Sequence, residues 1–328
     1  MNSFGRLFRL SVFGESHGES VGLLLDGVRP GISLDSSDFN TDIDRRRPKG
    51  IGGTPRKEAD KAIIKSGVFN GKTTGAPLLI EFNNNNTISK DYSNLVKTPR
   101  PGHADFTFRE KFHGYNDYRG GGATSGRLTL GLVSAGVIAK KMFPEIKYKT
   151  DIISIAGETC KSKFNDLIES ISLAGDSVGG KIQVRVGNVA VGLGEPYFDS
   201  LESTISHLLF SIGAIKSVSF GHIDEKSLGS EYNDPIISKD GKTSTNNNGG
   251  INGGVSNGNE IIVTVFVKPT SSIFKTQNTF NFETNKVEEM NIKGRHDAAI
   301  ILRAGVVVEA AVAIALCDAT LVNKALYN

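Results

Sequence analysis

Three short segments combine glycine with histidine, arginine and hydroxyl side chains in patterns that could bind and transform an anion. In the first, Gly14 and Gly18 flank Ser16 and His17. Glycine on both sides lets the backbone and the imidazole approach a ligand closely, and histidine can give or take a proton near neutral pH. A histidine in an ordinary turn would show the same pattern, so this segment alone leaves both interpretations open.

The second segment spans residues 100–129 and carries cationic side chains up to the start of a predicted helix. Gly120, Gly121 and Gly122 directly precede that helix, which begins near Ser125. Free N–H groups at a helix start bind anions, and arginine adds a charge-assisted donor. The pattern favours an anion site over a flexible loop with a capping serine. The polar members of the segment are Arg100, His103, Asp105, Arg119, Thr124, Ser125 and Arg127.

The third segment places Lys268 at the end of a predicted buried strand, followed by hydroxyl residues that suit a phosphate or the polar edge of a ring. The hydroxyl residues are Thr270, Ser271 and Ser272. Further along, Asp297 precedes the last predicted helix, and it either belongs to a site or pairs with Arg295 on the surface. The arginine triplet at 45–47 is typical of a solvated or subunit-facing helix end unless an anion lies nearby.

Three glycine-rich stretches approach nucleotide-binding signatures without meeting their requirements. Only three residues separate Gly67 from Gly71, whereas a phosphate-binding loop needs four. The stretch at Gly175 has the right gap, but Ile182 replaces the hydroxyl that binds Mg²⁺, and the stretch at Gly192 lacks the third glycine of a dinucleotide fingerprint. The six histidines show neither an HExxH spacing nor a Cys/His cluster, so we expect no metal site.

Hydrophobic periodicity predicts the elements that must position these segments. The Asn70–Gly71 pair between apolar runs at 62–69 and 76–82 predicts a hairpin. Helical spacing predicts helices over 125–143, 201–212 and 306–325, and apolar patterns predict strands at 182–186 and 261–267. Two segments each combine a predicted strand, a helix and another strand, but their sequences show no residue-level repeat. Any internal symmetry would therefore be structural only. No linker divides the chain, and we expect one mixed α and β domain over residues 1–328.

The composition excludes several classes of protein. The chain has 328 residues, a formal charge of +3 and only two cysteines, Cys160 and Cys317, so it lacks a disulfide framework. Arginines interrupt the apolar stretch at the N-terminus, which argues against a signal peptide. Arg303 and Glu309 interrupt the longest apolar region, which argues against a membrane span. The near-neutral charge argues against a general nucleic-acid binder, and we expect a reduced, cytoplasmic protein.

Taken together, the segments resemble the chorismate synthase family. The motifs GESHG, DRRRP, RPGHAD, YRGGG, LGEP, two glycine pairs, KPTSS and GRHD occur in that family's order and at close to its spacings. The resemblance extends from about Phe4 to Asp318. Any one of these motifs is weakly specific, whereas eight in order are very specific.

The resemblance implies a lyase that needs reduced FMN. The reaction of the family is the 1,4-anti elimination of phosphate and a ring proton from 5-enolpyruvylshikimate 3-phosphate, which gives chorismate without net redox change. Substrate and FMN together bring about five to six negative charges, so arginines must converge locally in a chain of net charge +3. The resemblance also implies an α+β fold, in which two pseudo-symmetric halves form a β-α-β sandwich with central antiparallel sheets and outer helices, and a homotetramer.

The family's functional residues can be carried over motif by motif. His17 resembles the histidine that protonates the reduced flavin, His103 the one that protonates the departing phosphate, and Asp297 the aspartate near flavin N5. Ser16 and Ser125 would support these transfers by hydrogen bonding. The implied substrate ligands are Arg46, Arg100 and Arg127. The implied FMN ligands are Ala123, Thr124, Ser125, Gly213, Ala214, Gly253, Lys268, Pro269, Thr270, Ser271, Ser272 and Arg295.

The sequence also departs from the family, and two other functions stay open. Many members have arginine where Ala123 stands, and the loop after Pro48 lacks a second arginine at its usual distance, so a substrate contact is expected to be lost or shifted. The arginines Arg45 and Arg47 motivate the alternative of a bifunctional enzyme that also reduces flavin with NAD(P)H. An RNA- or anion-binding module is the third hypothesis, although the 8% of aromatic residues are not spaced for base stacking.

Overall fold

Antiparallel sheets and long helices alternate along the computed structural model, which describes residues 2–48, 50, 52–53, 59–85, 95–292 and 296–327. The strands are β1 (Ser3–Phe4), β2 (Arg9–Gly14), β3 (Ser20–Asp26), β4 (Ile63–Ser66), β5 (Val68–Phe69), β6 (Lys72–Thr73), β7 (Leu78–Asn83), β8 (Lys147–Ile155), β9 (Gly180–Gly187), β10 (Ile215–Phe220), β11 (Ile251–Asn252), β12 (Val255–Ser256), β13 (Ile261–Val267), β14 (Gln277–Asn281) and β15 (Lys286–Met290). The helices are α1 (Asn40–Arg46), α2 (Asp105–Lys111), α3 (Thr129–Met142), α4 (Phe164–Leu173), α5 (Leu201–Ser211), α6 (Gly229–Tyr232) and α7 (Ile301–Leu326).

The two halves of the chain repeat one topology. In the described part of the first half, β1, β2, β3, β7 and β4 form one sheet in that order, and in the second half β8, β9, β13 and β10 form another. In each half, two antiparallel strands are followed by a helix, two more strands and a long helix, so α1 corresponds to α5 and α3 to α7, while α4 is an additional helix between β8 and β9. The expectation of pseudo-symmetric halves with antiparallel sheets is confirmed, and the symmetry lies in the connectivity.

The order of the layers is the reverse of the expected one. α3 and α7 pack against each other between the two sheets, and α3 also contacts β3 while α7 contacts β8 and β9. Residues 130–139 of α3 and 306–318 of α7 are all buried, so neither helix has a face for water. The strands alternate buried and exposed residues and can tolerate water on one side. The sheets are therefore outside and the long helices are central.

Close approach of the two central helices depends on small residues. A Cβ atom at Gly136 in α3 would lie 2.5 Å from the Cβ of Ala310 in α7. A single apolar cluster, running from Phe8 to Cys317 in sequence, joins both halves, which supports the proposal of one domain over residues 1–328. The apolar helix α7 is long enough to cross a membrane, but 78% of its most apolar stretch is buried in this fold, as in the core helix of a soluble protein.

The local predictions from periodicity and turn chemistry are largely confirmed. Asn70 and Gly71, with φ of 48° and 70°, form the tight turn between β5 and β6, and β13 has the predicted bounds. The predicted helix over 125–143 begins as a 3₁₀ turn capped by Ser125, whose Oγ accepts a hydrogen bond from the N–H of Arg127. α7 begins five residues before the predicted start, because Arg303 and Gly305 interrupt the apolar pattern at its beginning.

Candidate active site

A cleft of about 660 Å³ opens where the two halves meet the start of α7. This volume lies within the usual range of about 300–1,000 Å³ for small-molecule sites. Segments from β2, the residues that follow the glycine run, the end of α5 and the end of β13 line it, although they are far apart in sequence. The predicted site residues in its wall are Arg46, His103, Ala123, Thr124, Ser125, Gly213, Ala214, Lys268, Pro269, Thr270, Ser271 and Ser272.

The glycine run lies between the two predicted catalytic histidines. Gly120, Gly121 and Gly122 all have positive φ, a conformation that side chains disfavour. A Cβ atom at Gly120 would lie 2.7 Å from His17 Nε2 and 2.9 Å from Ser16 Oγ, and one at Gly121 would lie 3.9 Å from His103 Nε2. The run therefore needs glycine because all three residues have positive φ and because a side chain at Gly120 would collide with His17, whereas a Cβ at Gly121 would only reach ordinary contact distance from His103.

Ser16 and His17 are held beneath this run. The Ser16 N–H donates to the Gly122 carbonyl oxygen at 3.1 Å, and both Ser16 and His17 are buried. Among the described residues, the buried Ser16 Oγ has no hydrogen-bond partner. A buried hydroxyl without a partner is costly, so Ser16 Oγ is available to a ligand or to a proton transfer.

His103 belongs to a buried charged cluster with Arg100 and Asp105. Its Nδ1 lies 2.7 Å from Asp105 Oδ1 and 3.0 Å from Arg100 Nη2. Arg100 Nε and Nη2 donate to the two oxygens of Asp105 at 2.7 and 2.8 Å, and Nη1 donates to Ser272 Oγ at 3.0 Å. Burial opposes ionisation of Asp105, but the hydrogen bonds from Arg100 and His103 hold its pKa below the ordinary value. The Arg100 guanidinium thus lies behind His103, bonded within the protein.

Arg127 is likewise bonded within the protein. Nη1 donates to Asp60 Oδ1 at 2.7 Å, Nη2 donates to the Asn83 carbonyl oxygen at 3.0 Å, and Nε donates to Asn84 Oδ1. Arg127 and Asp60 are both buried, and Arg127 is absent from the described wall of the cleft. Its position is typical of a residue that stabilises the wall of a site without lining the cleft.

Arg46 and Arg303 supply guanidinium groups to the cleft wall. Arg46 Nε donates to Thr129 Oγ1 at 2.8 Å and Nη2 donates to the Gly126 carbonyl oxygen at 2.6 Å. Arg303 Nη2 donates to Asp297, which is buried behind it, and the buried Arg303 Nε has no partner among the described residues. Both arginines therefore keep part of their hydrogen-bonding capacity for a ligand.

Every charged side chain in the described wall of the cleft is basic: Arg46, Lys268 and Arg303 line it, and no aspartate or glutamate does. Burial and the neighbouring Arg303 lower the pKa of Arg46 to about 9. Burial and Lys216 lower the pKa of Lys268. Cations that burial and mutual repulsion destabilise are relieved by an anion, so the cleft suits a polyanionic ligand.

The rest of the wall combines apolar surface with hydroxyl groups. Val12, Phe13, Leu128 and Leu132 lie in the wall, which suits the flat face of a ring system. Lys268 Nζ donates to Ser271 Oγ at 2.7 Å, and the buried Thr270 Oγ1 has no partner in the described part of the chain. The donors around residues 268–272 suit a phosphate, so the site fits a phosphorylated ring cofactor such as FMN.

Some predicted residues lie elsewhere. Gly253 is in the turn between β11 and β12, and a Cβ at the adjacent Gly254 would lie 2.7 Å from the Cβ of Ser200 at the start of α5. Gly213 follows the other end of this 11-residue helix, about 16 Å away at 1.5 Å per residue. Arg295 lies outside the described residues. Within the described ranges, no group of three or more His, Cys, Asp or Glu side chains is arranged to hold a metal ion.

The two spare arginines of the triplet are engaged in ion pairs. Arg45 donates to Asp42 at 2.9 Å and to both oxygens of Glu309, at 2.9 and 2.7 Å. Arg47 donates to Asp44 and to the carbonyl oxygen of residue 59. Of the three arginines in the triplet, Arg46 alone faces the cleft. Arg45 and Arg47 form ion pairs that stabilise the fold.

Sequence reasoning missed the roles of Arg303, Asp105 and His207. In the sequence Arg303 is only a polar interruption of an apolar region, but at the first turn of α7 it faces the cleft. His207 also lines the cleft and packs edge-on against Phe4, with ring centroids 5.4 Å apart. The signal for Arg303 was its position six residues after Asp297, near the start of a helix.

Comparisons with known proteins agree with this geometry. A sequence profile of the chorismate synthase family matches residues 8–321. The chorismate synthase of Chitinophaga pinensis is 52% identical over 327 residues, which cover 99% of this chain and 98% of that protein. The chorismate synthase of Pyrococcus abyssi is 41% identical over 350 residues, 98% of each chain. A crystal structure of chorismate synthase superimposes with a TM-score of 0.72 at 25% identity and covers 99% of this chain and 94% of the other.

The profile spans both halves of the fold and every segment that lines the cleft except residues 2–4, and the relative from Chitinophaga pinensis covers 99% of the chain. The similarity is therefore to the whole enzyme rather than to one shared motif. On these grounds the chain belongs to the chorismate synthase family of lyases.

Proposed function

We propose that the cleft binds 5-enolpyruvylshikimate 3-phosphate beside reduced FMN and eliminates phosphate from it to give chorismate. The bond between the ring carbon and the phosphate oxygen breaks, and its electron pair leaves with phosphate. On the opposite face a C–H bond releases a proton, and its electron pair enters the new double bond. The products are chorismate, phosphate and a proton, so no oxidant or reductant is consumed.

The observation that carries this proposal is the set of charges around the cleft. The substrate has two carboxylates and a phosphate, and the described wall offers Arg46, Arg303 and Lys268 without any carboxylate of its own. Arginine forks suit carboxylate and phosphate better than point charges do. Arg100 and Arg127 would support binding from behind, through His103 and Asp60, because their guanidinium groups are bonded within the protein.

FMN fits the donors and the apolar wall of the same cleft. Residues 268–272 and 123–125 would hold its polar groups, Gly213 and Ala214 would allow close approach, and the apolar side chains would cover its ring. Reduced FMN supplies electron density that promotes departure of the phosphate. The unpartnered hydroxyl of Thr270 supports this assignment, because a bound polar group would satisfy it.

We assign the proton on the leaving phosphate to His103. Its side chain is one quarter exposed and lines the cleft, whereas His17 lies beneath the glycine run. His17 and Ser16, which lie next to Gly120, would together support a proton transfer there. Asp297 accepts a hydrogen bond from Arg303 at the cleft wall. Ser125 would donate its hydroxyl hydrogen to a ligand while its oxygen caps the following turn.

An anaerobic assay tests the function directly. Purified protein, photoreduced FMN and 5-enolpyruvylshikimate 3-phosphate should release chorismate and phosphate in equal amounts without NADPH. Heat-inactivated protein is the control for spontaneous elimination. Absence of chorismate with folded, FMN-binding protein would refute the proposal.

The same assay separates this function from the bifunctional alternative. That alternative requires Arg45 and Arg47 as free ligands for a nicotinamide nucleotide, and both are bonded to carboxylates. We therefore expect no flavin reduction when NADPH replaces light as the source of electrons. Turnover that depends strictly on NADPH would restore the alternative.

We further propose that the enzyme is a cytoplasmic homotetramer. Tyr197 and Phe198 are 88% and 91% exposed near the β11–β12 turn, which suits contact with another copy. Gly253 is absent from the described wall of the cleft of its own chain and lies near the opposite end of α5 from Gly213, so it would contact FMN in a neighbouring copy. Cys160 and Cys317 are free thiols, in keeping with a reducing compartment. Light scattering after size-exclusion chromatography should give the mass of four chains, and a monomer that binds FMN fully would contradict this.

A further inference from the structure

We propose that Asp105 is a positioning residue that keeps a proton on Nδ1 of His103 and directs Nε2 into the cleft, with Arg100 as the clamp that fixes Asp105. The inference rests on the proposed function in one respect: that function requires His103 to deliver a proton to the leaving phosphate. The arrangement of the three side chains stands on contacts within the chain.

The distances around Nδ1 favour a proton on this nitrogen, because the acceptor Asp105 is closer to it than the donor Arg100. Nδ1 is 2.7 Å from Asp105 Oδ1 and 3.0 Å from Arg100 Nη2. A guanidinium nitrogen only donates, and a carboxylate oxygen only accepts. If Nδ1 carried a lone pair, it could accept a hydrogen bond from Arg100 Nη2 at 3.0 Å, but the same lone pair would face the closer Asp105 oxygen at 2.7 Å with no hydrogen between them. If Nδ1 carries the hydrogen, it donates to Oδ1, which also accepts from Arg100 Nη2 at 2.8 Å.

Asp105 is well placed to act as a fixed acceptor. Its side chain is 6% exposed, and its Oδ2 accepts both the backbone N–H and the Nε–H of Arg100, at 3.1 and 2.7 Å. Each oxygen therefore has two donors, and the carboxylate cannot rotate without breaking several charge-assisted hydrogen bonds. The charges of Arg100 and Asp105 cancel, which leaves the imidazole as the group of the cluster that can change its charge.

The clamp also ties His103 to the segment proposed to bind phosphate. Arg100 Nη1 donates to Ser272 Oγ at 3.0 Å, and Lys268 Nζ donates to the Gly102 carbonyl oxygen at 2.9 Å. Lys268 thus bonds to the backbone directly before His103 from another segment of the chain, while Arg100 contacts His103 from the same segment. These bonds fix the ring relative to residues 268–272.

With Nδ1 committed to Asp105, Nε2 is the nitrogen that exchanges a proton with the cleft. A Cβ at Gly121 would lie 3.8 Å from Cε1 and 3.9 Å from Nε2 of His103, so this edge of the ring faces the glycine run. Arg100 is absent from the described wall of the cleft, and its side chain is only 5% exposed. This assigns to Arg100 a role different from the substrate contact that the motif suggested.

Nitrogen-15 spectroscopy of the histidine-labelled, full-length protein tests the arrangement without substrate or FMN. The His103 signals are identified by their loss in His103→Gln, and spectra are recorded where the ring is neutral. We expect a hydrogen on Nδ1 and none on Nε2. A neutral ring protonated on Nε2 would overturn the proposal, whether or not the protein makes chorismate.

A pair of variants tests the role in turnover. Asp105→Asn should lose the preference for Nδ1–H and lower kcat by about 10- to 100-fold, with no comparable change in FMN affinity. The matched control is Asp176→Asn, because Asp176 is a half-exposed aspartate bonded to Lys275 at 2.8 Å. The control should keep the His103 signals and kcat of the unmodified protein.

The outcomes separate this inference from the proposed function. If Asp105→Asn keeps both the Nδ1–H signal and kcat, Asp105 has no positioning role and the inference fails. If Asp105→Asn does not fold, the spectrum of the unmodified protein decides the question. If the unmodified protein makes no chorismate but shows the Nδ1–H signal, the proposed function fails and the positioning role of Asp105 stands.

Discussion

Gly120→Ala should disable the enzyme by displacing His17, and the contact distances set the size of the effect. The new Cβ would lie 2.7 Å from His17 Cδ2 and Nε2, whereas ordinary van der Waals contact begins near 3.4 Å. The ring would have to move by about 0.7 Å, or the glycine run would have to rise by as much. A misplacement of about 1 Å can cost roughly 100-fold in rate. We therefore expect kcat to fall by about 10- to 100-fold.

The substitution also strains the backbone, which must be separated from the steric effect. Gly120 has φ of 57°, and a side chain in this left-handed region costs about 1–2 kcal/mol. Gly114→Ala is the matched control, because Gly114 has φ of 80° but a Cβ atom added there would meet nothing within 4 Å among the described residues. Both variants should lose similar unfolding free energy in urea.

Only Gly120→Ala should lose activity in the anaerobic chorismate assay. The rates are measured at saturating FMN and substrate, so that a change in kcat is not confused with weaker binding. A folded Gly120→Ala protein with unchanged kcat would refute the proposal that contact between the glycine run and His17 positions a catalytic group. Equal loss of activity in both variants would show that backbone strain, rather than the contact, is responsible.

Three further outcomes follow from the contacts of charged residues. Glu309→Gln should lower the unfolding free energy by about 3 kcal/mol at pH 7 in chemical denaturation, because burial opposes ionisation but Arg45 and its neighbours depress the Glu309 pKa from 4.5 to about 2. The folded-state pKa is the lower one, so this stabilisation is complete above about pH 4.5, and the difference between the two proteins should vanish as the pH falls towards 2. Arg303→Met should raise KM for the substrate about tenfold or more through loss of a charged donor, whereas the exposed control Arg185→Met should leave KM unchanged; equal KM values would remove Arg303 from the binding site. His103→Ala should lower kcat by about 100-fold or more while FMN affinity, measured by flavin fluorescence, stays the same; an unchanged rate would exclude His103 as the acid.

Local sequence signals predict the elements because their physical causes act over a few residues. The Asn70–Gly71 turn forms because both residues tolerate positive φ, and β13 follows an uninterrupted run of β-branched and aromatic side chains. The glycine run at 120–122 is recognisable as part of a site for a similar reason. Its three positive φ values require residues without a Cβ.

The layer order could not be predicted from the same signals. α3 shows helical spacing of apolar residues, which is expected equally of a helix on the surface of a sheet and of one between two sheets. Its burial on all sides depends on contact with α7, which begins 172 residues later. Gly136 and Ala310 allow this contact, but their pairing is visible only once both helices are packed.

The sequence alone determined the family, the turns, most of the helices and strands, and the residue types needed to bind a polyanion and move a proton. Tertiary structure decided which arginines face the cleft. Arg46 and Arg303 line the cleft, whereas Arg45 is neutralised by Glu309, 264 residues away, and Arg127 by a buried aspartate. A guanidinium group has the same chemistry in all four places, and its role depends on which carboxylate the fold brings within hydrogen-bond distance. That choice depends on contacts between distant elements, which no local pattern of residues encodes.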